Sequence, residues 1–203
     1  MIQFITDSNN PTVIEQQVSC ALAGGIRWIQ LRMKNASGNE ISQTAQRIVP
    51  LCHDKNAKII IDDHVELVRS CRFDGVHLGR NDMHPNTARE ILGDDYIIGY
   101  TVNNENDAYN AKTMPINYVG IGPLRFTSTK QNLAPVLGIS GVEKLIKIIG
   151  PDIPAVVIGG IGHTDIEAVK SVGAVGVAVS GAIAKADDMT AAAHIFAETD
   201  NKF

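Results

Sequence analysis

Gln30, Arg32 and Lys34 take alternate positions in the run RWIQLRMK (27–34). In an extended strand, residues two apart point to one face, so an amide and two cations would line up. That set suits a polyanion carrying a polar group; a solvated strand end is the plainer alternative. Asp62 and Asp63 close the run IIIDDH (59–64), and Asp82 ends HLGRND (77–82). Neighbouring strands lie roughly 4.8 Å apart, so carboxylates at adjacent strand ends can meet at one ion. Hard carboxylates beside Arg and Lys suit Mg²⁺ bridging a diphosphate better than an all-protein cage. Helix capping would equally account for Asp62 and Asp63, and a turn for Asp82.

A second polar run, Thr127-Ser128-Thr129-Lys130, opens FTSTKQNLAPVLGIS (126–140). Hydroxyls donate to phosphate oxygens and a lysine adds a mobile charge. In IGGIGHTD (158–165) the glycines let backbone N–H groups approach an anion just before a helix. AVSGAI (178–183) is similarly small and rich in accessible backbone, with tight turns as the alternative for both. Neither run completes G-x-G-x-x-G, so a dinucleotide is not supported. His77 lies within an apolar run and is expected to pack rather than react. His84, two residues from Asp82, could touch the site but more readily serves elsewhere. No Ser-His-Asp or Cys-His arrangement follows from residue order alone.

Short apolar runs alternating with amphipathic stretches must position these groups. Strands are predicted over 2–6, 27–31, 58–61, 75–78, 96–100, 117–121, 154–160 and 175–180. Helices are predicted near 11–23, 39–55, 64–71, 86–92, 104–112, 141–148, 164–171 and 187–198. Asn10 can cap the first helix, with Pro11 at its first position and Gly24-Gly25 at its end. The strands are β-branched and almost continuously apolar, as when both faces are buried. Eight β-then-α units predict an α/β fold, a single (β/α)₈ TIM barrel spanning 1–203 with little decoration. A doubly wound sheet is the rival, but its phosphate fingerprint should follow the first strand, where ITDSNN holds no glycine.

Composition narrows the function. The 203 residues are 44% hydrophobic and 20% charged, with a net charge of -4 that argues against nucleic-acid binding. Cys20, Cys52 and Cys71 lack metal-ligand spacing and suit a reducing compartment. No basic, apolar leader opens the chain, and no apolar run reaches the roughly 18 residues of a membrane span. The expectation is a cytoplasmic protein. In a barrel, active sites sit where strands end, and the loops after strands 7 and 8 commonly take phosphate. Two anion sites follow: a cationic, carboxylate-lined one on strands 2 to 4 and a glycine- and hydroxyl-lined one on strands 6 to 8. Two phosphorylated substrates in one barrel suggest a transferase joining them.

The ordered motifs resemble those of the thiamine-phosphate synthase (thiamine-phosphate pyrophosphorylase) family over essentially the whole chain. QLRMK resembles Q-L-R-x-K, IIIDDHVELV resembles I-I-N-D-x-x-D-L-A, and DGVHLGRND resembles D-G-V-H-x-G-Q-x-D. YVGIGPLRFTSTK resembles Y-V-G-x-G-P-x-x-x-T-x-T-K, and IGGI matches as it stands. The resemblance implies condensation of hydroxymethylpyrimidine diphosphate with a thiazole phosphate to give thiamine phosphate and pyrophosphate. It implies a dissociative, Mg²⁺-assisted path in which Gln30, Arg32, Lys34 and Lys130 serve the diphosphate. Asp63 and Asp82 would hold Mg²⁺; Thr127, Ser128, Thr129 and Gly160 would hold the thiazole phosphate. The chain departs from the pattern at Asp62, usually Asn and used for the pyrimidine, at Thr101, usually Ser, and at Ser180-Gly181, where the family often has Ser in place of Gly181. A thiazole tautomerase-like relative, or a non-catalytic phosphate-binding barrel, is the alternative on the same fold.

Overall fold

Period-two alternation within the short apolar runs decides what enters the barrel and what faces the helices. Ile5, Ile60, Tyr118, Val156 and Ala178 form one cluster inside the barrel. Phe4, Ile29, Ile59, Ile61, Val76, Ile98, Val119, Val157 and Val177 belong to a second, between sheet and helices. Both sheet faces are therefore buried, as parallel strands require.

The structure is a computed structural model and describes residues 1–127 and 134–202. The strands are β1 Ile2–Ile5, β2 Trp28–Leu31, β3 Lys58–Asp62, β4 Gly75–Leu78, β5 Ile97–Val102, β6 Tyr118–Ile121, β7 Ala155–Ile158 and β8 Gly176–Val179. All pair in parallel in sequence order, and β8 closes on β1. The helices are α1 Pro11–Ala23, α2 Gly38–Asp54, α3 Pro85–Leu92, α4 Glu105–Ala111, α5 Gly138–Ile149, α6 Ile166–Ser171, α7 Gly181–Ala184 and α8 Met189–Asp200.

Local chemistry sets the helix starts. The Asn10 carboxamide accepts from the Thr12 and Val13 N–H groups, and Pro11 follows it. Ser37 and Glu40 form a reciprocal capping box on α2. The structure departs from expectation after β3. No α-helix covers 64–71; Asp63 takes φ 68° and a single 3₁₀ turn spans Val65–Leu67. Buried Val65, Val68 and Phe73 seal this side of the barrel instead. The chain after β8 also differs, because α7 starts directly at Gly181, ahead of the expected last helix.

The segment after β6 is pinned at its root. Leu124 N–H donates to Ile158 O (2.8 Å) and Arg125 N–H to Gly159 O (3.0 Å). Where the chain returns, Leu137 N–H donates to Pro123 O (2.9 Å) and Gly138 N–H to Leu124 O (3.2 Å).

Gly99 on β5 makes room for the Tyr118 ring. A Cβ there would fall 2.2 Å from two ring carbons and 2.5 Å from the hydroxyl. Gly99→Ala is expected to destabilise the barrel by about 3 kcal/mol, the upper part of the usual overpacking range. Urea unfolding checks this; an unshifted midpoint would mean that the ring has space to move.

Candidate active site

The exits of β2 and β3 meet at one carboxylate. Gln30 Nε2 donates to Asp62 Oδ1 at 2.6 Å, and Arg32 Nε lies 3.3 Å from Asp62 Oδ2. The β1 exit braces this corner. Thr6 Oγ1 accepts from the Arg32 N–H (2.9 Å) and donates to the Arg32 carbonyl (3.3 Å). Asn9 Nδ2 donates to the Lys34 carbonyl at 2.8 Å. The expected alignment holds for Gln30 and Arg32 and stops there. β2 ends at Leu31 and Lys34 lies in the following turn, so strand alternation does not carry it onto the same face. Lys34 is not among the residues lining the cavity.

The acidic pair comes from the β3 and β4 exits. Asp63 is held at φ 68°, with its N–H donating to His77 O at 2.9 Å. Asp82 Oδ2 accepts from the Gly79 N–H at 2.6 Å, so the turn role anticipated for this residue is real. Its carboxyl group also sits beside that of Asp63. Burial pushes the Asp63 carboxyl far above its ordinary range; Asp62 and Asp82 push the same way, and Arg32 opposes them. Two carboxyl groups that repel unless a proton or cation lies between them fit a hard divalent cation. Among the described residues no group of three His, Cys, Asp or Glu side chains is arranged to hold a metal. A cation here would therefore take its other ligands from substrate phosphates and water, as Mg²⁺ commonly does.

The opposite wall is built from β5 to β8. Thr101, Thr127, Gly160, Ser180 and Gly181 line the same cavity, of about 440 Å³, as Gln30, Arg32 and the three aspartates. Ser128, Thr129 and Lys130 lie outside the described residues. Gly159 and Gly160 both take positive φ, 98° and 65°. A Cβ on Gly160 would fall 2.9 Å from Arg125 Cβ, so these glycines also let the β6 exit lie against β7. Arg125 forks onto Asp165 through two bonds, Nη1 to Oδ2 (2.5 Å) and Nη2 to Oδ1 (2.7 Å), tying the two exits together. Gln30 Oε1 and Ser180 Oγ are buried and have no hydrogen-bond partner among the described residues. Both residues border the cavity, where a ligand can satisfy them.

Residues 2–183 match the family model described as thiamine monophosphate synthase. The chain belongs to that family. It is 43% identical over 193 residues to a thiamine-phosphate synthase of Bacteroides thetaiotaomicron, covering 94% of this chain and 92% of the relative. A thiamine-phosphate synthase of Bacteroides fragilis is 45% identical over 190 residues, covering 92% and 93%. Among solved structures, thiamine phosphate pyrophosphorylase from Pyrococcus furiosus superposes with TM-score 0.88 at 31% identity, covering 99% of this chain and 95% of that one.

Within this member of the thiamine monophosphate synthase family, several site residues escaped sequence reasoning. His77 does not simply pack: it lines the cavity, with Nδ1 2.8 Å from the Tyr118 hydroxyl and Nε2 2.9 Å from Thr101 Oγ1. Gln3, Arg80 and Asn103 line it as well. The usable signal for His77 was parity, since it faces Asp62 on β3 in register and so shares the inward face. His84, a residue that on sequence could touch the site, caps α3, its Nδ1 accepting from the Asn86 N–H at 3.2 Å.

Proposed function

We propose that this cavity joins a hydroxymethylpyrimidine diphosphate to a thiazole phosphate, releasing pyrophosphate. Family membership makes the chain a transferase enzyme of thiamine biosynthesis; the substrate contacts, the Mg²⁺ and the residue roles are our reading. The observation that carries it is the convergence of Arg32, Asp62, Asp63 and Asp82 on one cavity at the strand exits. In the proposed reaction the C–O bond to the diphosphate breaks and its electron pair leaves with the pyrophosphate. The thiazole nitrogen then forms the C–N bond with its own lone pair. A neutral aromatic nitrogen needs no general base.

Developing charge on the leaving group is the main demand, and Arg32 answers it with Lys34 and Lys130. Asp63 and Asp82 would hold Mg²⁺, which when bound neutralises diphosphate charge. Gln30, with Asp62 anchoring its amide, would fix the pyrimidine diphosphate, and Thr101 would donate to it. Thr127, Ser128, Thr129, Gly160, Ser180 and Gly181 would receive the thiazole phosphate. Three unpaired cysteines suit a reducing, cytoplasmic setting.

Asp62 tests the corner. Asp62→Asn keeps an acceptor for Gln30 but releases Arg32, so KM for the diphosphate substrate should fall by about threefold, with kcat little changed, the scale of a partly exposed ion pair. Asp62→Ala loses the Gln30 anchor as well, and kcat/KM should drop by about tenfold, one hydrogen bond to a charged group. Equal kinetics for the two variants would remove Asp62 from this role. The whole reading is tested by mixing protein, both substrates and Mg²⁺, omitting each in turn, and following both products. Magnesium-dependent formation of thiamine phosphate and pyrophosphate supports it. Binding of the thiazole phosphate without product would favour a tautomerase-like or binding role.

A further inference from the structure

A chain of four side chains crosses the barrel interior from β1 to β5. Gln3 Nε2 lies 3.1 Å from the Tyr118 hydroxyl, which lies 2.8 Å from His77 Nδ1. His77 Nε2 in turn lies 2.9 Å from Thr101 Oγ1, at the cavity wall. Gln3 and Tyr118 are each only 2% exposed. The sequence makes space for the rings: besides Gly99 under Tyr118, Gly120 faces His77, where a Cβ would fall 3.1 Å from Cε1. Trp28 holds the other side of Tyr118 edge-on, with ring centroids 4.8 Å apart.

The Gln3 amide gives the bonds a direction. An amide nitrogen only donates, so the Tyr118 oxygen accepts from Gln3, which leaves its own hydrogen available for His77 Nδ1, 2.8 Å away. Burial pushes the Tyr118 phenol upward, which keeps that hydrogen in place. An imidazole accepting at Nδ1 is neutral and carries its proton on Nε2, so Nε2–H donates to Thr101 Oγ1. The Thr101 hydrogen must then point elsewhere. A threonine hydroxyl ordinarily rotates to donate or accept as its partner demands; here that choice is gone.

We infer that Gln3, Tyr118 and His77 are positioning residues that fix Thr101 as an obligate donor into the cavity. This wall therefore selects an acceptor-only group, such as an anionic phosphate oxygen, and disfavours a ligand that offers a hydrogen at that point. The inference rests on the reading that Thr101 meets the substrate. Reversing the Gln3 amide would run every bond the other way and leave Thr101 an acceptor only, so the two directions make opposite predictions.

The first test needs no variant and no substrate. Long-range ¹H–¹⁵N correlation spectra of the full chain, with His77 assigned by loss of its signals in His77→Gln, report the tautomer. The Nε2–H tautomer is expected; Nδ1–H, or a doubly protonated ring, overturns the inference. The second is a double-mutant cycle of Tyr118→Phe and Thr101→Val on kcat/KM. Each single change should cost about tenfold, the scale of a hydrogen bond to a charged group. The double variant should fall within about twofold of Thr101→Val alone, because both act through one hydroxyl. Multiplying losses would mean that Tyr118 serves structure only and would overturn the relay. If Tyr118→Phe does not fold, Gln3→Leu takes its place in the cycle with the same expectations. A chain without synthase turnover would fail the functional reading, and the tautomer would still be measured in it.

Discussion

Arg32→Ala is expected to lower kcat by about 10²–10³-fold, the scale of losing one preorganised group aimed at a developing anion. Arg32 is the cation built into the β2–β3 corner, 3.3 Å from Asp62 and braced through its backbone by Thr6. Its removal acts twice. In the proposed reaction the departing diphosphate would lose a counter-charge, and Asp63, beside Asp62 and Asp82, loses the cation that offsets their repulsion. The discriminating measurement separates kcat from KM for the pyrimidine substrate. A loss confined to KM would make Arg32 a uniform binder; near-normal kinetics would remove it from the diphosphate site.

Asp82→Asn should raise the Mg²⁺ midpoint of turnover by at least about tenfold, since loss even of an outer-sphere partner commonly costs that much. This substitution is chosen over alanine because an asparagine oxygen can still accept from the Gly79 N–H and keep the turn. The fold is thereby separated from the charge. An unchanged magnesium titration would take Asp82 out of the metal site and leave it the turn role alone.

The barrel was readable because each strand is a short apolar run ending in polar residues, and each run has one partner on either side. Asp63 and Asp82 could be paired on that basis, since β3 and β4 are sequence neighbours. Gln30 and Arg32 likewise meet at one corner, as their spacing of two suggests, although Arg32 lies one residue past the end of β2. Asp62 was harder. Its bonds to Gln30 and Arg32 depend on the stagger between β2 and β3, which residue order does not encode. Lys34 lies in the turn three residues beyond the end of β2, so strand alternation alone does not place it. For His77 the apolar run hides parity: its neighbours Val76 and Leu78 face the helices, while His77 lines the cavity. Tyr118 and Gln3 drew no notice, since their partnership spans the interior between β1 and β6. The missing helix after β3 reflects the same limit. Val65 and Val68 fit a helical pattern, yet one 3₁₀ turn buries both.

The pinned root of the β6 exit has a wider consequence. The chain leaves at Leu124 and Arg125, which are fixed to Ile158 and Gly159, and returns at Leu137 and Gly138, which are fixed to Pro123 and Leu124. Changes between those points need not disturb the register of β6 against β7. Doubling the length of such a closed segment costs only about 0.6 kcal/mol of closure entropy. Exchanging the segment between Arg125 and Leu137 is thus expected to leave the strands that carry the corner charges unaltered.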